Sequence, residues 1–262
     1  MPDSARGDEI VRNLEAWYAA QADVPGMEVH RDPDITWALS NGTTWANSGV
    51  SLRFNSANAG HRMDEILKYY AERACAAGFW VDPAATPANI EELLKQRGLR
   101  CRKRFPGMWC DLDKLPKIAI PKAIRILQTP HHSLYLRHPH PYFGPITTAI
   151  RRHELNRLAH LAAQWPKRFF DFVALATDNR PVGACSMFLD DGVAGFYDVG
   201  VLEQERSKGI GSAMMAHALR SAREQGATQA VLLASGMGCG MYRRVGFREV
   251  CQIAYWYRAR KR

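Results

Sequence analysis

Residues 206–211 read Arg206-Ser207-Lys208-Gly209-Ile210-Gly211, and this stretch decides how the chain around it is interpreted. It follows an apolar, strand-like segment, Val193–Val201, and precedes a segment whose apolar residues recur at helical spacing. Glycines let a backbone approach a ligand and point successive N–H groups at one spot, and a helix start adds the positive end of its dipole. We therefore predict an anion-binding turn here, best matched to a pyrophosphate.

Alone, the Gly-x-Gly turn does not distinguish a ligand site from an ordinary strand-to-helix connection. A nucleotide-binding P-loop is excluded because no Gly-Lys-Ser/Thr follows. A dinucleotide fingerprint is not indicated either, because the three-glycine spacing and the downstream ribose-binding acid are absent. The predicted elements on either side of the turn are therefore needed to distinguish a ligand site from an ordinary connection.

The flanking sequence predicts a mixed α/β arrangement of order β-β-β-α-β-α-β. Asp178-Asn179-Arg180-Pro181 and Asp190-Asp191-Gly192 are typical of tight turns between antiparallel strands. A helix runs from Ser212 to a terminal Gly226, where a glycine is favoured after the last turn. The remaining predicted elements are strands at 171–176, 182–189, Val193–Val201, 230–234 and 247–257, and a short helix at 240–245.

In this context the sequence resembles the GNAT superfamily of acyl-CoA-dependent N-acyltransferases, over residues 171–257. The matching motifs are Val199-Gly200-Val201, Arg206-x-x-Gly209-x-Gly211, the strand at 230–235, and Met241-Tyr242-Arg243-Arg244-Val245-Gly246-Phe247. The resemblance implies acetyl-CoA as co-substrate, held in a notch between two splayed strands. It assigns the pantetheine to the Val199-Gly200-Val201 backbone and to Ser235, where many members have Asn. It assigns the pyrophosphate to Arg206, Ser207, Lys208, Gly209, Ile210, Gly211 and Ser212.

The resemblance also implies a general acid, Tyr242, which protonates the departing CoA thiolate; a phenol holds its proton at neutral pH. The general base is left open, because Gly195 stands where some members have Glu. Tyr197 projects to the same face as Val199 and Val201 by strand alternation, and Asp198 to the other face unless a bulge re-aims it. A water chain, Tyr197 or a carboxylate from elsewhere remain the candidates.

The N-terminal half is predicted to be a degenerate copy of the same fold. Its Gly78 and Gly98 are 20 positions apart, as are Gly226 and Gly246 in the C-terminal half. It also resembles the inactive first half of tandem GNAT proteins. The ungapped offset of 148 carries Gly209 to His61, Gly211 to Met63, Ser235 to Pro87 and Tyr242 to Leu94, so the copy lacks both the phosphate turn and the acid.

These observations predict two tandem GNAT-like domains, of which the C-terminal one is active. The expected boundaries are 1–115 for the degenerate domain, 116–150 for a crossover linker and the start of the second domain, and 151–262 for the acetyltransferase domain. The linker is rich in proline and contains His131, His132, His138 and His140, and a substrate-contact role for His138, His140 or Tyr142 is the functional alternative. No metal is expected, since neither a CxxC pair nor a matching ligand spacing is present.

Composition restricts the function further. The 262 residues are 47% hydrophobic and 23% charged, with a net charge of +9, and no apolar run approaches the roughly 20 residues of a membrane helix. The N-terminus lacks a secretory segment, so a cytoplasmic location with no membrane partner is expected. The expected acceptor is a primary amine of a small molecule. One alternative acceptor is an amine of a protein or of aminoacyl-tRNA, and no other nucleic acid is expected to bind. Another alternative is that the protein is a non-catalytic acyl-CoA-binding module.

Overall fold

The computed structural model describes residues 1–40, 47–129 and 148–259. Within them the helices are α1 (Asp3–Ala19), α2 (Ala59–Glu72), α3 (Ile90–Gln96), α4 (Thr148–Gln164), α5 (Ile210–Glu224) and α6 (Cys239–Arg244). The strands are β1 (Met27–Asp32), β2 (Ile35–Ser40), β3 (Ser48–Val50), β4 (Ala77–Val81), β5 (Arg100–Asp111), β6 (Ile124–Gln128), β7 (Phe169–Ala176), β8 (Pro181–Asp190), β9 (Val193–Val201), β10 (Gln229–Leu233) and β11 (Arg248–Arg258). No helix in these ranges is long and apolar enough to cross a membrane.

The chain divides into two compact units, one of which is formed by two separate stretches of the sequence. Unit 1 comprises Met1–Gly107 and Val250–Arg262, and unit 2 comprises Met108–Glu249. The mixed α/β composition and the tandem arrangement of similar elements agree with the predicted fold class.

Unit 1 contains strands in the order β1-β2-β3-β4-β11. The pairing of β3 with β4 is parallel, and the other pairs with a defined register are antiparallel. The C-terminal strand belongs to this unit, because Ala254–Arg258 pair with Val81–Ala77. Ala254 is fully buried and packs in one apolar cluster with residues of α2 and β4, so residues from the end of the chain complete the core of unit 1.

Unit 2 contains the end of β5 and then the order β10-β9-β8-β7-β6. The end of β5 is held beside β10, since the indole of Trp109 donates to Gln229 at 2.6 Å and the Leu112 amide donates to the Thr228 carbonyl at 3.1 Å. Helix α5 presents Met214, Ala218 and Leu219 to the core on one face of this sheet, which the helical spacing predicted. Strands β9 and β10 are parallel, and the other pairs with a defined register are antiparallel.

Several predicted boundaries differ from the structure. Helix α1 was not predicted, and β6 lies in the segment 116–150, which was expected to hold a crossover linker and the start of the second domain. Strand β5 continues through Pro106-Gly107 without interruption. A methyl group at Gly107 would lie 2.4 Å from the Cys251 sulfur, so the glycine permits a close approach of this strand to its neighbour. Strand β3 ends at Val50 because Ser51 has a positive φ of 55°.

The predicted equivalence of Gly78 and Gly226 is wrong. Gly78 lies inside β4, and the left-handed residue after α2 is Ala74, with φ of 51°. The Cys75 amide donates to the Tyr70 carbonyl there, as the Ala227 amide donates to Ala222 after α5. These helix ends are therefore 152 positions apart, whereas Gly98 and Gly246, both with positive φ, keep the offset of 148.

The same shift changes what stands opposite the phosphate turn. His61 and Met63 lie inside α2 and are not equivalent to Gly209 and Gly211, because α2 begins at Ala59 after Asn58. Asn58 has φ of −124°, in place of the left-handed 78° of Gly209. The N-terminal copy therefore lacks the left-handed turn, although at different residues from those the ungapped offset gave.

Because the C-terminal strand β11 pairs with β4, substitutions near the C-terminus should change the stability of unit 1. We expect Ala254→Asp to destabilise the protein by about 3 kcal/mol or more, because it buries a carboxylate in an apolar core. Gln252→Asp, on an exposed position of the same strand, is the matched control and is expected to change stability by less than about 0.5 kcal/mol. Urea unfolding followed by circular dichroism measures both, and equal midpoints for the two variants would contradict the assignment of β11 to this core.

The thiols should differ sharply in reactivity. Burial raises the pKa of Cys110 to about 12 and raises the pKa of Cys185 well above its usual value, with a further contribution from a neighbouring aspartate in each case. Neither forms much thiolate at pH 8, whereas Cys101 is exposed. We expect Ellman's reagent to modify Cys101 first in the native protein, and Cys101→Ser to remove that phase. Early modification of Cys110 or Cys185, located by mass spectrometry, would contradict this burial.

Candidate active site

The central feature of unit 2 is an incomplete parallel ladder. Strand β9 pairs with β10 only from Val193 to Gly195, opposite Gln229–Val231, although β9 itself continues to Val201. On its other edge β9 pairs with β8 as far as Val201. Beyond Gly195 the β10 side of β9 therefore offers backbone N–H and C=O groups at the mouth of a notch.

A β-bulge re-aims the side chains at this notch. Tyr197 stands opposite Ser186 and Gly200 opposite Ala184, so Asp198 and Val199 together oppose a single residue of β8. Asp198 has a positive φ of 52°, the strained conformation that accommodates the extra residue. Its carboxylate lies 4.0 Å from the guanidinium of Arg157 on α4.

The bulge overturns the expectation that Tyr197 shares a face with Val199 and Val201. Directly opposed residues of neighbouring strands point to the same face, so Tyr197 lies with Ser186. Val199 and Val201 pack against the apolar cluster formed by α5, on the opposite face. The break in alternation falls between Tyr197 and Val199, where the bulge inserts its extra residue.

The predicted phosphate turn has the backbone that its glycines suggested. Gly209 adopts φ of 78° and caps α5, and Ser207 is also left-handed with φ of 63°. Helix α5 begins at Ile210, so the amides of its first turn lack carbonyl partners within the helix. A methyl group at Gly211 would lie 3.6 Å from Val201, which places the turn directly beside the end of β9.

The charged residues of the turn are already engaged within unit 2. Arg206 donates through Nε to the Val201 carbonyl at 3.2 Å. Lys208 and Arg180 both bind the carboxylate of Glu205 at 2.9 Å. Hydrogen bonds from these two cations hold the pKa of Glu205 below its usual value, so the carboxylate stays charged beside the anion site.

Tyr242 lies on α6 and is buried, with 6% of its surface exposed. Its ring meets Phe247 edge-on, with centroids 5.9 Å apart. A methyl group at Gly238 would lie 2.8 Å from the ring, so this glycine, which sequence reasoning missed, allows the helix start to close against the tyrosine. Tyr242 belongs to the same apolar cluster as α5 and Val201, which places it on the face of the phosphate turn.

Ser235 follows β10 and begins the turn that leads into α6. The Gly238 amide donates to its carbonyl at 2.9 Å and to its hydroxyl oxygen at 3.2 Å. The hydroxyl proton is not used in this turn and can still be donated, so the expected single hydrogen bond to pantetheine is compatible with the local geometry.

A group of polar residues on the Tyr197 face was not identified from the sequence. Asp171 is 4% exposed and accepts a hydrogen bond of 2.7 Å from the Ser186 hydroxyl. Asp171, Ser186 and Tyr197 stand directly opposite one another on β7, β8 and β9, so they form one row across the sheet. The signal available in the sequence was an aspartate within the otherwise apolar run 169–176.

Unit 1 contains the corresponding notch, but its own backbone fills it. Ser51 interrupts β3 with φ of 55°, much as Asp198 interrupts β9. Beyond it, the Thr86 amide donates to the Leu52 carbonyl at 3.0 Å, and the Phe54 amide donates to the Thr86 carbonyl at 3.2 Å. Arg53 binds Asp82 through both nitrogens at 3.0 and 3.1 Å, which holds the start of the filling segment in place.

Other predicted features can be placed only in part. The linker residues His131, His132, His138, His140 and Tyr142 lie outside the described residues. Within the described ranges, no group of three His, Cys, Asp or Glu side chains is arranged to hold a metal ion.

Comparison with known proteins shows similarity to GNAT acetyltransferases. Residues 133–247 match the model of the acetyltransferase (GNAT) family, and no curated protein sequence matches the chain. Similar solved structures include a GCN5-related N-acetyltransferase from Kribbella flavida, with 18% identity, a TM-score of 0.70, and coverage of 93% of this chain and 94% of that one. A GCN5-related N-acetyltransferase from Sphaerobacter thermophilus is 15% identical, with a TM-score of 0.67 and coverage of 100% and 93%.

A tandem GNAT protein from the clavulanic acid biosynthesis pathway is 12% identical, with a TM-score of 0.61, and covers 100% of this chain and 98% of its own. At such identities these likenesses show the fold, while the match of residues 133–247 identifies the domain that carries the notch and the phosphate turn. The chain therefore has the fold of tandem GNAT proteins, and the match of residues 133–247 to the GNAT acetyltransferase family supports an acyl-CoA-dependent transferase.

Proposed function

We propose that unit 2 transfers an acetyl group from acetyl-CoA to a primary amine of a small molecule. The observation that carries this proposal is the incomplete ladder between β9 and β10, with the glycine turn at the start of α5 beside it. An extended pantetheine amide can pair with the exposed edge of β9 as an additional strand would. The turn at 206–212 then receives the pyrophosphate.

The two faces of the sheet have different functions in the proposed reaction: one binds the cofactor and the other receives the acceptor. Tyr242 and the phosphate turn share the α5 face, from which the cofactor enters. The amine attacks the thioester carbonyl directly, the C–S bond breaks, and Tyr242 gives its proton to the departing thiolate. Backbone N–H groups of β9 at the notch steady the oxyanion of the tetrahedral intermediate.

The acceptor approaches from the opposite face, which carries the row Asp171, Ser186 and Tyr197, and Asp198 through the bulge. Carboxylates there favour a cationic amine, and the side chains of this row are placed to relay its proton as it attacks. Tyr197 is the candidate nearest the notch, and Asp171 is the buried carboxylate behind it. Tyr197 was expected on the face of Val199 and Val201, and this division moves that candidate to the acceptor face.

Two other functions are compatible with the same site. An amine of a protein or aminoacyl-tRNA would draw on the net charge of +9, and its binding would weaken steeply with added salt. A non-catalytic acyl-CoA-binding module would use the notch without releasing thiol. The carboxylates on the acceptor face favour a cationic amine over a polyanionic acceptor such as aminoacyl-tRNA.

One cofactor site per chain follows from the filled notch of unit 1. The backbone groups of Leu52 and Phe54 that would meet pantetheine already bond to Thr86. Asn58 also replaces the left-handed glycine that shapes the turn in unit 2. We place acetyl-CoA binding in unit 2 alone.

Binding is the first property to measure. Isothermal titration should give one acetyl-CoA per chain, and saturating acetyl-CoA should raise the melting temperature, because a ligand that binds only the native state stabilises it. Gly209→Val is expected to abolish both effects, since a β-branched residue cannot readily adopt the left-handed φ of 78°. Gly192→Val, at a left-handed glycine of the β8–β9 turn where an added Cβ would meet nothing within 4 Å, is the matched strain control.

Two sites per chain would contradict the filled notch of unit 1. Absence of binding by the wild-type protein at millimolar acetyl-CoA would contradict the proposed function.

Catalysis is tested by Tyr242→Phe in a thiol-release assay against a panel of small amines. The variant is expected to keep its acetyl-CoA affinity within about 2-fold and to lose roughly 100-fold or more in kcat, since it removes only the proton donor. The control Tyr257→Phe, on β11, should retain wild-type turnover. Unchanged kcat in Tyr242→Phe would rule out the acid assignment, and binding without thiol release from any amine would favour the non-catalytic module.

A further inference from the structure

The phosphate turn of unit 2 has a neighbour from outside the motif. The segment 115–122, here called the strap, follows β5 and precedes β6. A methyl group at Gly246 would lie 3.2 Å from Cδ of Pro116, and one at Gly209 would lie 3.7 Å from Cγ of Pro121. The strap therefore runs from the end of α6 to the cap of α5, the helices that carry the acid and the phosphate turn.

The strap is anchored along its length, so its position at the turn is fixed. Leu115 and Ile118 pack against the apolar core of unit 2. The Ile124 amide donates to the Pro121 carbonyl at 3.0 Å, which closes a turn, and β6 then pairs with β7 from Ile124 onward. This closed turn presents Lys122, its first central residue, to solvent, and Lys122 directly follows Pro121, whose Cγ would lie 3.7 Å from a methyl group at Gly209.

The cations of the phosphate turn already have partners, which leaves room for a further cation such as Lys122 to bind a cofactor phosphate. Lys208, the lysine of the motif, is bound to Glu205, which stays ionised, and Arg206 is bound to the Val201 carbonyl. An acyl-CoA brings a pyrophosphate and a 3′-phosphate to this place, and the motif's own cations are partly neutralised or occupied. Lys122 is exposed and joins no ion pair among the residues that the structure describes, so its ammonium is available on a flexible four-carbon stem.

We propose that the strap forms one wall of the acyl-CoA phosphate site, with Pro121 seated against the left-handed turn at Gly209 and Lys122 binding a cofactor phosphate. The proposal rests on the acyl-CoA site in unit 2 and adds to it a cofactor contact from the segment between β5 and β6. It makes the strap part of the ligand site in addition to a connection between two strands.

The experiment compares two lysines of the same strap. Lys122→Ala and Lys122→Glu are measured against Lys117→Ala and Lys117→Glu by isothermal titration with acetyl-CoA at low and at physiological salt. Lys117 is also exposed, but it follows Pro116 at the Gly246 end of the strap. We expect Lys122→Ala to weaken binding by roughly 3- to 10-fold and Lys122→Glu by more, with smaller effects at higher salt. The Lys117 variants should bind within about 2-fold of wild type.

Dephospho-CoA, which lacks the 3′-phosphate, identifies the phosphate concerned. If Lys122 binds the 3′-phosphate, Lys122→Glu and wild type should bind dephospho-CoA equally, whereas a retained loss would place Lys122 at the pyrophosphate. Either result supports the strap as a wall of the site. Wild-type affinity for acetyl-CoA in both Lys122 variants would overturn the proposal, as would an equal loss in the Lys117 variants, which would indicate a general field effect.

The failure of this inference is distinguishable from failure of the proposed function. If wild-type protein binds acetyl-CoA and the Lys122 variants bind equally well, only the strap assignment is wrong. If wild-type protein does not bind acetyl-CoA, the proposed function and the strap assignment both fall. Unliganded melting temperatures of all four variants should match wild type because both lysines are exposed, and this excludes misfolding as the cause of a loss.

Discussion

The site depends on where the parallel ladder between β9 and β10 stops. A strand edge inside a folded protein carries N–H and C=O groups that need partners, and leaving them without partners is costly. Beyond Gly195, β9 offers these groups toward the notch, because its register with β10 ends there and a bulge at Asp198 twists the strand. This edge of β9 is surrounded by the other parts of the proposed site. They are the phosphate turn, the buried Tyr242 and the row of polar residues on the other face.

Unit 1 meets the same constraint in a different way. Its strand β3 ends at Val50, just before the left-handed Ser51, and the residues that follow are paired by Thr86. A ligand would have to displace three hydrogen bonds, those between Thr86 and the segment Leu52–Phe54, before it could pair with this edge. Intramolecular pairing has the advantage of high effective concentration, so loss of cofactor binding here needs no steric block. Degeneracy of the first half is then a matter of its backbone as well as of missing motif residues.

The order of elements around the phosphate turn was predictable because its signals are local. Turn residues, helical spacing from Ile210 to Glu224 and the glycines at 209, 226 and 246 each act within a few residues. Features set by distant contacts were not predictable. Ala74 adopts a left-handed conformation that is normally signalled by glycine, so Gly78 was wrongly aligned with Gly226. The placement of β11 beside β4 is a pairing between residues far apart in sequence. The bulge at Asp198 likewise has no residue signature, although it decides which face Tyr197 occupies.

The acceptor is governed by charges near the notch, because distant charges act weakly on a small ligand. At physiological ionic strength exposed charges are screened beyond about 8 Å, so a net charge of +9 spread over the surface does little to repel a single ammonium group. Asp171 is buried, and the side chain of Asp198 is 16% exposed, so their fields are screened less. Arg157, 4.0 Å from Asp198, offsets part of that charge. If the acceptor is the small cationic amine proposed above, it responds mainly to the charges near the notch, whereas a polyanion such as tRNA would respond to the whole surface.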